Sequence, residues 1–192
     1  MFWLVTMTAF FVAILFFVLG FKSYRSAQTL RSQICRLELG KSSFAEVSRF
    51  FPDYEGNAAS AGCSLEGCTY VMYVENPISK AIGIGPRVAF IARVRVYENV
   101  LKGRELIIGR SLRHRELSVF VEQSAESKMI EETRIVSYSK APSVGVLVSP
   151  NASAEFAKLT SGFNLGCLVR IIGCEQPSEM LPFLKNQHAS PR

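Results

Sequence analysis

Five cysteines offer the most chemistry in this 192-residue chain, and four fall in two local pairs, Cys63-x4-Cys68 and Cys167-x6-Cys174. Both pairs sit in turn-like surroundings, AGCSLEGCTY and GCLVRIIGCEQP, where nearby thiols can close short loops as disulfides. Two disulfides are the favoured reading. Reduced structural thiols are the alternative, because free cysteine packs as a small apolar residue. The gaps do not fit structural zinc, which takes C-x2-4-C or H-x3-5-H spacing, and His114 and His188 stand alone. Neither pair is a C-x-x-C redox couple. Cys35 is left over, close to the membrane, as a free thiol or an intermolecular partner.

Catalytic spellings are few and weak. Ser137-Tyr138-Ser139-Lys140 fits S-x-x-K, but that chemistry needs a serine at a helix start with lysine one turn on, and here a strand is expected. Gly109-Arg110-Ser111-Leu112-Arg113 lacks the last glycine of a nucleophile elbow. Gly83-x-Gly85 runs into Pro86 and reads as a turn. His114 is flanked by Arg113 and Arg115, which disfavour its protonation, and no acid is marked as its partner. No catalytic residue, metal or cofactor is assigned. An enzyme of hydrolase type with scattered residues remains the alternative.

The remaining candidate is electrostatic. The chain holds 22 Lys+Arg against 16 Asp+Glu, a net charge of +6. Arg87, Arg93, Arg95, Arg104, Arg113 and Arg115 crowd one stretch, with Lys102 and Arg110 among them. On the exposed face of consecutive strands they could meet phosphate headgroups or an acidic partner. They could equally be an ordinary wet face whose long side chains resist edge pairing. Nucleic acid is not expected, since the aromatics do not interleave with these arginines as a stacking platform requires.

These groups are positioned first of all by the opening segment. Phe2 to Phe21 carries no charge, and thirteen of its twenty residues are Leu, Ile, Val or Phe. Twenty helical residues span the ~30 Å hydrocarbon core, and the thirteen favour insertion by about 4 to 8 kcal/mol. A signal peptide would show a basic flank and a shorter apolar run, so an uncleaved, single-pass signal-anchor over 1–21 is expected. Lys22, Arg25, Arg31, Arg36 and Lys41 follow the span, which by the positive-inside rule puts the domain in the cytoplasm. The cysteine pairs argue for an oxidising compartment instead. The expectation leans to an extracytoplasmic domain facing the cell envelope, with the bilayer as one partner and an envelope protein or anionic lipid headgroups as another.

Beyond the anchor, a juxtamembrane helix or linker is expected over 22–41, with Tyr24, Ala27, Leu30, Ile34 and Leu37 on one stripe and Gly40 ending it. Ser43 and Glu46 form a capping box for a short helix over 44–51, closed by Pro52. The period then changes to two. Strands are expected over 68–75, 87–97, 104–110, 117–122, 133–139 and 143–149. Pro150, Asn151 and Ser153 announce a helix with Phe156, Leu159 and Phe163 buried and Gly162 as its stop. The fold class is α+β: an anchor, one domain over 42–182 with a mainly antiparallel sheet and flanking helices, and a loose tail over 183–192.

Gly40-Lys41-Ser42-Ser43-Phe44-Ala45-Glu46-Val47 resembles the opening of small envelope lipoproteins of the SmpA/BamE type, which place such a helix before antiparallel strands. The likeness covers about eight residues of the 192, and no lipobox cysteine lies near the apolar segment. It implies a compatible architecture and no particular activity. The function expected is a membrane-anchored binding or scaffolding module that does no catalysis.

Overall fold

In a computed structural model of the chain, residues 2–49, 59–64, 67–78, 86–112, 115–126, 132–138, 143–170 and 173–186 are described. The opening segment forms one continuous helix, α1 (Phe2–Arg36), roughly 50 Å long. It is long and apolar enough to cross a membrane. Its two halves differ in packing. Trp3 (81% exposed) and Phe17 (75%) stand bare, whereas Ala27, Leu30 and Ile34 are fully buried against the domain. The stripe read from the sequence is therefore the face by which α1 joins the core.

The helix stops at Arg36, three residues before the expected limit. Gly40 does adopt a positive φ of 75°, but it lies in the following turn. That turn is laced to the sheet by Gly40 N–H to the Leu101 carbonyl and Leu101 N–H to the Ser42 carbonyl, both 2.9 Å. Next comes α2 (Phe44–Ser48). Its capping box is formed: Ser43 Oγ accepts from Glu46 N–H at 3.3 Å, and Glu46 Oε2 accepts from Ser43 N–H at 2.9 Å. Arg49 caps this helix, and residues 50 and 51 of the expected 44–51 helix, with Pro52, lie outside the described residues.

Seven strands follow: β1 (Ala59–Cys63), β2 (Gly67–Glu75), β3 (Arg87–Tyr97), β4 (Val100–Leu112), β5 (Arg115–Ser124), β6 (Arg134–Tyr138) and β7 (Ser143–Val148). They form one sheet in the order β1-β2-β3-β4-β5-β7-β6, antiparallel except for the parallel β5–β7 pair. The alternating apolar residues of β3 turn inward as their period dictates, with Val88, Phe90, Ala92, Val94 and Val96 all buried. A two-residue turn with Glu98 and Asn99 at φ of 51° and 62° joins β3 to β4, the mirror-image geometry that matches strand twist. The strand β1, ASAGC, has no apolar alternation and was not expected.

The inner sheet face is covered by the second half of α1, by α3 (Ser153–Ser161), a 3-10 turn (Leu165–Leu168), α4 (Pro177–Met180) and a last 3-10 turn (Pro182–Asn186). Phe156, Leu159 and Phe163 are buried, and the Phe163 ring meets that of Phe90 edge-on at 6.1 Å. Packing continues to Leu184, which is 1% exposed, so the chain beyond 182 still contributes to the core.

Candidate functional site

Both cysteine pairs are bonded. Cys63 and Cys68 face each other in the β1–β2 register with Cα atoms 4.1 Å apart, closing the hairpin turn. Cys167 and Cys174 are fully buried and join the 3-10 turn to the segment that returns to α4. Cys35 is free and half-buried, its Sγ 3.2 Å from Thr160 Oγ1. Because that hydroxyl donates to the Phe156 carbonyl at 2.7 Å, the thiol is the donor of the pair.

The arginines divide. Arg93 and Arg95 lie on the outer sheet face, as expected, but each has a carboxylate. Arg93 Nη1 is 2.7 Å from Glu105 Oε2, and Arg95 Nη2 is 2.5 Å from Glu122 Oε1. The second pair is diagonal. Gly103, opposite Arg95, leaves the room for it, since a Cβ there would lie 2.9 Å from Arg95 Nε. Burial, opposed by Arg93, pushes the Glu105 carboxyl above its ordinary value. Arg87 is exposed at the start of β3. Arg110 Nη2 lies 4.0 Å from Glu175 Oε1. Arg113, His114, His188, Lys140 and the Gly83–Gly85 turn lie outside the described residues, as does the side chain of Arg115.

Arg104 is not a surface residue, which corrects the expectation that it contacts anions. It is 1% exposed and turned into the core between β4, α1 and α3. Its Nη1 donates to the carbonyls of Ile34 (3.2 Å), Cys35 (3.3 Å) and Leu37, the last carbonyls of α1 and the first beyond it. Nε and Nη2 both donate to Gln123 Oε1, at 2.9 and 2.7 Å. The guanidinium also lies over the Phe156 ring. Gln123 Nε2 in turn donates to the carbonyls of Ser149 and Pro150 ahead of α3. One buried cation thus meets the negative end of the α1 dipole and ties it to the sheet. It also explains the early helix stop, because carbonyls satisfied by a side chain need no further helical turn.

The outer face also carries an apolar row that the distribution of charge along the sequence does not reveal. In register across four neighbouring strands stand Tyr73, Ile91, Ile107 and Phe120. Tyr73, Ile91 and Ile107 are half-buried, and Phe120, 7% exposed, fills the space over Gly145 of β7. Arg93, Glu105 and Glu122 form the next row of the same face. The described helices pack on the opposite face. The outer face is therefore an apolar row beside a charge-balanced one. Among the described residues no group of three or more metal-ligating side chains is gathered.

No protein-family model, curated protein or solved structure matches this chain. The likeness of Gly40–Val47 to the opening of an envelope lipoprotein stays local, and the capping box at Ser43 and Glu46 accounts for it.

Proposed function

We propose that the chain is a single-pass, signal-anchored membrane protein whose α+β domain lies on the extracytoplasmic side and binds an envelope protein through the outer face of its sheet, without catalysis. The observation that carries this reading is the row Tyr73–Ile91–Ile107–Phe120 on the face opposite the described helices. An apolar row rimmed by fixed polar groups is the composition of a protein interface. The bonded cysteine pairs support an oxidising compartment. The ion pairs of Arg93 and Arg95 weigh against an anionic-lipid surface beside this row, because these two cations are matched by Glu105 and Glu122.

Two measurements test it. A membrane-impermeant maleimide, applied to intact cells after a reductant, should modify Cys63 and Cys68; modification only after lysis sinks the extracytoplasmic placement. A photo-crosslinker at Ile107 should give a discrete adduct in intact membranes that the same crosslinker at exposed Glu155 on α3 does not. Identical patterns from both positions sink the outer-face interface.

A further inference from the structure

A groove of about 380 Å³ lies where α1 enters the domain, lined by Phe16, Phe17, Gly20, Phe21, Tyr24, Ile78 and Val169. That size lies within the range of about 300–1,000 Å³ typical of ligand sites. Its far wall is held in place. The loop bearing Val169 is closed by the Cys167–Cys174 bond, and Asn76 Nδ2 donates to the Arg170 carbonyl at 3.1 Å. Asn76 Oδ1 accepts from Ile78 N–H at 2.8 Å, which sets the second loop. Gly20 and Val169 stand against each other: a Cβ at Gly20 would lie 3.4 Å from Val169 Cγ1, an ordinary van der Waals distance.

The depth of this groove follows from the helix itself. Phe17 and Phe21 are exposed, and they belong to the same turns of α1 as Gly20. Two stacked, uncovered phenyl rings belong among lipid tails, and the first charge, Lys22, comes only after them. Whatever depth those rings reach, Gly20 and the Val169 wall share. One turn on, the Arg25 guanidinium lies 5.1 Å from the Phe21 ring centroid, as a snorkelling side chain at the headgroup level does. Lys22, Arg25 and Arg170 are all exposed around this end.

We infer that the hydrocarbon boundary falls inside the contact between helix and domain, and that this groove holds the acyl chain of a bilayer phospholipid whose phosphate meets Arg25. The occupant is a lipid chain because the groove is a continuation of the lipid-facing flank of α1. The domain then sits on the bilayer, with half-buried Val169 as a second point of contact and buried Ile78 as the groove floor. This rests on α1 spanning a membrane.

Trp3 is the only tryptophan, which makes the test clean. The full chain is reconstituted in phosphatidylcholine vesicles whose acyl chains are brominated near the carbonyl end. In a Trp3→Phe, Val169→Trp chain, the introduced indole should lose most of its emission to bromolipid and little to aqueous iodide. Full emission with bromolipid and ready quenching by iodide overturns the inference. The native chain separates the two premises. Quenching of Trp3 by lipid brominated along the chain, with none at position 169, leaves the anchor standing and removes the groove. An unquenched Trp3 removes both. Ile78→Trp in the Trp3→Phe background is read in the same way where Val169→Trp does not fold.

Discussion

The guanidinium carbon of Arg104 lies 4.2 Å from the Phe156 ring centroid, while its Nη1 holds the last carbonyls of α1. Among the described residues no carboxylate is bonded to this buried cation. Its charge is balanced by backbone carbonyls, an amide oxygen and an aromatic face, so removing it strands several acceptors at once. Arg104→Ala should cost about 3–5 kcal/mol, read as a shift in the urea midpoint of the detergent-solubilised chain. Arg104→Lys should recover only part of that, because one ammonium cannot reach α1 and Gln123 together. In a double-mutant cycle, Arg104 and Gln123 should couple by roughly 0.5–3 kcal/mol.

Alkaline pH reports on the same group. Burial pulls Arg104 down to about 10, well below the ordinary guanidinium range, with Cys35 and Glu38 opposing. Below that value it is charged in both folded and unfolded chains, and its contribution does not vary with pH. Above it the unfolded chain keeps the proton longer, so the contribution to stability rises with pH until the unfolded guanidinium gives up its proton as well. The slope difference between native chain and Arg104→Met over that window checks the sign.

Phe120 and Gly145 form a second dependence across the sheet. A Cβ on Gly145 would come within 2.0 Å of Phe120 Cζ. Gly145→Ala should therefore destabilise by about 1–3 kcal/mol, as overpacking does. Phe120→Leu in the same chain should return part of the loss, since the smaller side chain vacates the site. Thermal unfolding of the three variants distinguishes this clash from a general strand effect.

Much of this fold was legible because it follows from period. RVAFIARVRVY spans β3 from Arg87 to Tyr97, residue for residue, and the Leu30–Ile34 stripe is the buried side of α1. Arg104 was misplaced although its signal was present. Within β4 it is in phase with Leu106 and Ile108, both buried, so the period puts it inward despite its charge. The acids Glu105 and Glu122 were overlooked because their meaning lies in register, which places Arg93 opposite Glu105 only once β3 and β4 are paired. The strand β1 had no apolar alternation to reveal it, and the groove at Gly20 needs two loops distant in sequence.

The two disulfides should differ in access more than in chain entropy. Loops of this size stabilise by about 2–3 kcal/mol on the entropic estimate, and the difference between them is small. Cys63 is exposed on an edge hairpin, whereas Cys167 and Cys174 are fully buried. Under graded reductant, alkylation mapped by mass spectrometry should find Cys63 and Cys68 modified first. The buried pair should open only in step with loss of tertiary structure. Simultaneous modification of all four would refute the ordering.

Mild acid should act through Glu105. Its carboxyl is raised above 4.5, chiefly by burial, with the Glu122 charge adding and Arg93 opposing. A folded-state value above the unfolded one means that the folded chain binds the proton first. The contribution of this group to stability therefore grows as pH falls through the folded value, and levels off below 4.5, where the unfolded chain is protonated as well. Glu105→Gln mimics the protonated state. It should leave neutral-pH stability within about 1 kcal/mol of native, because relief of desolvation offsets loss of the Arg93 pair. It should also remove the acid-side gain. A carbon-detected titration of the Glu105 carboxyl checks the direction, and a midpoint below 4.5 would show instead that Arg93 outweighs burial.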